Sequence, residues 1–272
     1  MIGSEAAMIS AEQALAAPAV APAAAWRART FELAEGLFQS IRMQLSVPRY
    51  KAISVSRGAN LDLIDTPLNN APWLRDRFTE IRRLSAEFER LAALDRVVNW
   101  TDPGPGGFYD DLGAPGGQSH VVPGLPYADD PAFLHTPHMA SNFNRRSGTP
   151  AWRISSSTFM ETRDDQPFEM LYQGLDRNAA YKIRVVYGNE ALVADGQPMK
   201  LRLVANGKYE VHGWTAKRAD LAPQEFAIPP EATAGGELRL TWSRPTGLGG
   251  SGRGVQVAEV WIMRQADAAV SK

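Results

Sequence analysis

Apolar residues recur at every second position through the C-terminal part of this chain, and that period limits the folds open to it. Tyr181, Ile183, Val185 and Tyr187 alternate with Lys182 and Arg184. Met199, Leu201 and Leu203 repeat the arrangement, as do Leu238, Leu240 and Trp242 around Arg239 and Thr241. The last run is Val-Gln-Val-Ala-Glu-Val-Trp-Ile, from Val255 to Ile262. A period of two gives a strand one buried and one wet face, which suits an antiparallel sheet. Several such runs, separated by Gly, Pro and Asn turns, predict a β-sandwich.

Strands are expected over 152–160, 168–172, 181–187, 199–204, 209–214, 225–228, 237–243 and 255–263. That number is enough for two packed sheets. Ahead of them the period changes. Phe31, Ala34, Leu37, Phe38, Ile41 and Leu45 fall at helical steps, with Thr30 as a cap and Pro48 as a stop. After an irregular stretch over 57–67, Asn70 and Pro72 open a second helix. Its apolar stripe is Trp73 or Leu74, then Phe78, Ile81, Leu84, Phe88, Leu91 and Leu94. Residues 26–98 therefore read as a helical hairpin that must pack against something else. Residues 1–25 are rich in Ala and Pro and hold no Lys or Arg. They read as a linker, or as the disordered start of a piece cut from a longer protein. Residues 266–272 read as a tail.

Composition excludes several classes of function. Lysine plus arginine (29) nearly balances aspartate plus glutamate (30), so no basic field exists to gather nucleic acid. Cysteine is absent, which removes disulfides and thiolate chemistry. No apolar run reaches the ~20 residues of a membrane helix. A periplasmic or secreted location is the expectation.

The motifs divide between chemistry and turn-making. Gly247-Leu-Gly-Gly-Ser-Gly252 has the spacing of a dinucleotide loop, but strands on both sides leave no helix N-terminus for a pyrophosphate. It reads as an inter-strand loop flanked by Arg244 and Arg253. His120, His135 and His138 suggest metal, yet Pro137 prevents the helical spacing that would align two rings. Asp102, Asp110 and Asp111 lie among glycines beside Phe108 and Tyr109. Such carboxylates can cap turns, hold calcium, or act as paired acids in glycoside hydrolysis. Asp110 and Asp111 point apart on extended backbone and make a poor acid/base pair. Glu259 sits on an apolar strand, on the side of Val255, Val257 and Trp261. A buried carboxylate needs a partner or a site, and an arginine on a neighbouring strand is expected. Trp214, next to Gly213, is the best candidate for an exposed sugar-stacking ring.

From Tyr181 onward the chain resembles the galactose-binding-like jelly rolls found as carbohydrate-binding modules of glycan-active enzymes. The resemblance is carried by Tyr181-Lys-Ile-Arg-Val-Val-Tyr187, Ala205-Asn-Gly-Lys208, Glu225-Phe-Ala-Ile-Pro-Pro230, Gly236-Glu-Leu-Arg-Leu-Thr-Trp242 and Val257-Ala-Glu-Val-Trp261. The longer span 32–264 resembles the C-terminal region of large bacterial proteins of polysaccharide degradation. The resemblance implies a sugar site on loops at one edge of the sandwich and a structural calcium.

The expectation is thus an α+β chain, a helical hairpin followed by an antiparallel jelly-roll sandwich over 99–265. Its function is expected to be that of a non-catalytic, carbohydrate-associated module. An oligo- or polysaccharide is the expected partner, and a catalytic domain would dock on the hairpin. Tyr109, Asp110, Asp111, Trp214, Arg253 and Glu259 are the expected contacts, with Asp102 and Asp110 for calcium and no catalytic residue. The competing readings are a glycoside hydrolase or polysaccharide lyase using Asp102, Asp110, His120 or Glu259, and a purely structural interaction domain.

Overall fold

The computed structural model describes residues 3–16, 71–114, 118–141, 152–188, 199–247 and 252–265. The chain divides into two compact units, Met1–Trp100 with Phe143–Ile154, and Thr101–Asn142 with Ser155–Lys272. The first helix expected for the hairpin, over 26–48, and the 57–67 connection lie outside the described residues.

Three helices are described in the first unit: α1 (Ser4–Ala16), α2 (Ala71–Arg82) and α3 (Glu87–Val98). α1 lies in the stretch read as a linker. Met8 of α1 packs with Phe78 and Ile81 of α2, and Ala93, Leu94 and Val97 of α3 close over them. Arg82 reaches across to both Glu5 and Glu12, while Glu87 accepts from the Ser4 amide and hydroxyl. These links are lost to a reading that seeks only apolar periodicity. The single helix expected from residue 70 is two helices. Arg90 donates to the carbonyls of Leu84 and Ser85 and so satisfies the freed backbone at the break. The break rotates the stripe: Phe88 is 73% exposed.

The second unit is a β-sandwich of ten described strands, so the chain is α+β, with helices followed by two antiparallel sheets. The strands are β1 (Phe108–Asp111), β2 (His138–Ser141), β3 (Thr158–Arg163), β4 (Phe168–Gln173) and β5 (Tyr181–Tyr187). There follow β6 (Lys200–Ala205), β7 (Tyr209–Ala216), β8 (Gln224–Ile228), the single helical turn α4 (Pro230–Thr233), β9 (Glu237–Ser243) and β10 (Arg253–Arg264). One sheet runs β2-β3-β10-β5-β8, with β1 also paired to β10. The other runs β4-β9-β6-β7. From β3 onward the chain changes sheet at every connection except β6 to β7. Apolar residues at alternate positions of both sheets therefore meet in one core, with Phe168, Met170, Tyr172, Leu201, Leu203, Leu240 and Trp242 opposite Ile183, Val185, Val257, Val260 and Ile262. Each such side chain stabilises the fold by about 1.5–3 kcal/mol.

Among the departures from the simple alternation, two bear on the sequence expectations. The strand expected from residue 152 begins only at Thr158, because Ile154–Ser157 is a 3-10 turn. In β10, Val257 opposes Tyr187 but Glu259 opposes Val186, so Ala258 is an extra residue that reverses the face. Val260 and Ile262 continue the core on the side of Val255 and Val257. Glu259 and Trp261 consequently lie on the face opposite to those valines, which corrects the expectation that all four shared one side.

β1 and β3 lie end to end along one edge of β10, β3 opposite Arg253–Val257 and β1 opposite Glu259–Ile262. The close approach of β1 depends on Gly107, where an added Cβ would lie 2.6 Å from the Ile262 carbonyl oxygen and 2.8 Å from Pro103 Cβ. Gly107→Ala should cost about 1–3 kcal/mol in urea unfolding. Gly235→Ala, where a Cβ meets nothing within 4 Å, should stay within about 0.5 kcal/mol of the parent. Equal losses at both positions would show that β1 is not seated this closely on β10.

Candidate functional site

β1 places its four side chains alternately. Phe108 and Asp110 pair with Ile262 and Val260 and so face the space between the sheets, whereas Tyr109 and Asp111 pair with Trp261 and Glu259 on the other face. Asp110 is 7% exposed, a position where a carboxylate must be satisfied. Its Oδ2 accepts from the Tyr172 hydroxyl of the facing sheet at 2.8 Å, and its Oδ1 lies 2.7 Å from His120 Nδ1. The carboxylate can only accept, so Nδ1 carries the proton. Burial, and next the charge of Asp110, push the Tyr172 hydroxyl well above the usual phenol range.

On the opposite face Glu259 is fully buried. Tyr109 donates to its Oε1 at 2.7 Å and Ser156 to its Oε2 at 3.2 Å. The Tyr109 ring lies 5.0 Å from Trp261, and Arg184 stands over the same indole. Two hydroxyls thus join the interactions of Glu259.

A second polar group occupies the other end of β10. His138, Glu161 and Gln256 are cross-strand neighbours in one row over β2, β3 and β10. Arg253 donates to Glu161 at 3.0 Å, and the Gln256 amide donates to the same oxygen. Burial pushes the Glu161 carboxyl up, but His138, Gln256 and the Arg253 charge outweigh it and hold it below its ordinary value. Lys217, just beyond β7, donates to Gln256 Oε1 at 2.6 Å. Burial pushes its amine down to about 7, Glu161 opposing the shift and Arg253 adding to it. Deeper in the sandwich, Trp242 donates to the Tyr187 hydroxyl, which meets His212 Nε2, and His212 Nδ1 meets the Gly213 carbonyl. That carbonyl fixes His212 as the Nδ1–H form, and burial lowers its ionisation.

The remaining expected residues are scattered. Asp102 Oδ1 accepts from the Gly104 amide and Asp111 Oδ1 from that of Gly113, both turn-making contacts. Trp214 is 48% exposed on β7, an edge strand of the other sheet. Arg253 faces Glu161, and Arg244 is held by Asp165 and the Arg253 carbonyl. Gly247 donates to Asp165, between strands β9 and β10 as the loop reading requires. Calcium takes roughly six to eight oxygens, a cage that the imidazole and phenol around Asp110 do not supply. Among the described residues, no three His, Asp or Glu side chains gather as a metal group.

Tyr127, 69% exposed, was missed in the sequence. It lies in a loop that Asp130 ties together by accepting from the amides of Leu134 and His135. Its only sequence signal is an aromatic among prolines. Glu161, Gln256 and Lys217 were missed as well, since nothing in their spacing brings them together.

No family model and no curated protein matches the sequence. Among solved structures, the chain is similar to the ANX2 ectodomain from Arabidopsis thaliana at 15% identity and a TM-score of 0.37, over 55% of this chain and 43% of that one. It is similar to the complex of plant peptide RALF23 with FER and LLG2 at 13% identity and a TM-score of 0.36, over 60% of this chain and 48% of that one. A family GH115 4-O-methyl-alpha-glucuronidase with specificity for decorated arabinogalactans is similar at 10% identity and a TM-score of 0.32, over 75% of this chain and 29% of that one. The chain spans less than half the length of each of the three.

The titration of Lys217 gives the fold a measurable pH dependence. Between pH about 7 and 10.5 the unfolded chain holds a proton on Lys217 that the folded chain has released. Stability contributed by this group therefore rises with pH across that window. His212 has the same sign lower down, its contribution falling as pH drops below 6.5. Lys217→Met should flatten the alkaline slope in urea unfolding, and identical slopes in parent and variant would assign the titration elsewhere.

Proposed function

We propose that this chain is a non-catalytic, carbohydrate-associated β-sandwich module of the galactose-binding-like jelly-roll type. It would serve as the C-terminal part or partner of a larger glycan-degrading enzyme. The observation that carries this reading is the exposure of two large aromatic side chains, Tyr127 on its tied loop and Trp214 on an edge strand. An open aromatic ring matches the apolar face of a pyranose, and its hydrophobic area drives a shallow contact. The acids support the same reading. Asp110 is engaged by His120 and Tyr172, Glu259 by Tyr109 and Ser156, and Asp102 by its own turn. Asp110 and Glu259 thus act on a ligand through the residues they hold, and Asp111, Arg253 and Trp214 complete the proposed contacts.

Catalysis by a hydrolase or lyase is the second reading, favoured by the Asp110–His120 contact at 2.7 Å. The two readings separate in one screen of the intact chain, by glycan array and affinity electrophoresis with hydrolysis and elimination assays in parallel. Binding in the mM to μM range, roughly 4–8 kcal/mol, is expected without turnover. Trp214→Ala should weaken it by about tenfold, some 1.4 kcal/mol, with Asp111→Ala as a second contact variant. Turnover would favour the enzyme. Neither binding nor turnover would leave an interaction domain.

A further inference from the structure

His120 is restrained in three independent ways. Its carbonyl accepts from the Leu171 amide while the Val122 amide donates to Glu169, so the backbone on both sides is tied to β4. Its ring stacks on Tyr172 at 4.6 Å and meets Phe108 edge-on at 5.3 Å. Its Nδ1 is engaged by Asp110, a carboxylate that is itself 7% exposed and also holds Tyr172. The ring retains 24% of its surface, and no described residue hydrogen-bonds its Nε2. A latch between the sheets would need only the bond at Nδ1. It would not need a ring clamped by two aromatics with its second nitrogen open.

We infer that His120 is the polar contact of a ligand site at the β1–β4 rim, its Nε2 lone pair set to accept a hydroxyl of a bound saccharide. Asp110 is the positioning residue, because it fixes which nitrogen carries the proton. The saccharide identity of the ligand rests on the function proposed above, whereas the fixed imidazole does not. Asp110→Asn makes the role of the carboxylate visible. An amide has one acceptor and one donor side, and the buried Tyr172 hydroxyl takes the acceptor. The amide then donates to Nδ1 and moves the ring proton to Nε2. The variant keeps the shape of the site and reverses the polarity that a ligand meets.

The test uses the intact chain labelled with nitrogen-15, whose four histidines are few enough to assign. Long-range proton–nitrogen spectra at about pH 8, above the histidine range, report each tautomer. His120 should be the Nδ1–H form in the parent and the Nε2–H form in Asp110→Asn. An Nε2–H parent, or an unchanged variant, would overturn the positioning role without reference to any ligand. With a glycan that the parent binds, the His120 Nε2 resonance should shift, and His120→Ala should weaken binding about three- to tenfold. A bound glycan that leaves both unmoved refutes this site and leaves the saccharide function standing. A parent that binds no glycan refutes that function and the ligand assigned here with it, even where the tautomers are as expected.

Discussion

A strand that is dry on both faces cannot carry polar side chains unless each meets a partner, because an unmatched buried group costs about 1–3 kcal/mol. β10 is such a strand: Gln256 and Glu259 are fully buried near its middle, among Val255, Val257, Val260 and Trp261. Its neighbours supply the partners. β3 offers Glu161 to Gln256, the segment after β7 offers Lys217, and β1 and the turn before β3 offer the hydroxyls of Tyr109 and Ser156 to Glu259. The partners of these two buried side chains thus come from four other segments, whose register is tied to β10.

The β4-β9-β6-β7 sheet turns one face to water. Its outer positions carry Glu169 with Arg239 and Thr241, and Arg202 with Glu210, all at exposed or half-exposed sites. Exposed pairs of this kind contribute about 0–1 kcal/mol and tolerate exchange. The sheet that holds β10 carries exposed and half-exposed pairs as well, Lys182 and Arg184 of β5 with Glu225 of β8. Groups with displaced ionisation occur in both sheets: Glu161 of β3 and Lys217 lie beside β10, and Tyr172 of β4 and His212 of β7 lie within the sandwich.

Whether a strand buries one face or both decides what can be read from the amino-acid order. β4, β6 and β9 alternate cleanly, since each has one core face, and β5 does so up to Val185, after which Val186 and Tyr187 are both buried; the positions of these strands follow from periodicity. β1 and β2 are four residues each, too short to show a period, and β1 lies in a Gly- and Pro-rich stretch that reads as a boundary. The face of Glu259 was misread because a bulge leaves the apolar run intact while reversing its parity. Asp110 and His120 are ten residues apart, but their contact also needs Tyr172 from the facing sheet, and only the topology brings it there. Lys217 follows an ordinary exposed-looking strand end, and its burial depends on Gln256 lying opposite. Local pattern can locate strands, but a pairing between sheets is a property of the closed sandwich.

The Gly-Pro-rich stretch ahead of β1 gains its meaning from this closure. Asp102 holds the Gly104 amide, and the chain then runs through Gly106 and Gly107 against the Ile262 carbonyl. In sequence a carboxylate among glycines suits a turn, an ion site or paired-acid catalysis, and here Asp102 accepts from the Gly104 amide in the turn ahead of β1. Once β1 is seated, alternation sends Asp110 inward to His120 and Tyr172 and Tyr109 outward to Glu259. The same four residues therefore satisfy the buried acid of β10 and orient the imidazole at the rim. Tyr109 and Asp110 are adjacent in the chain and work on opposite faces, so a shift of β1 by one residue would exchange their environments and strand both carboxylates.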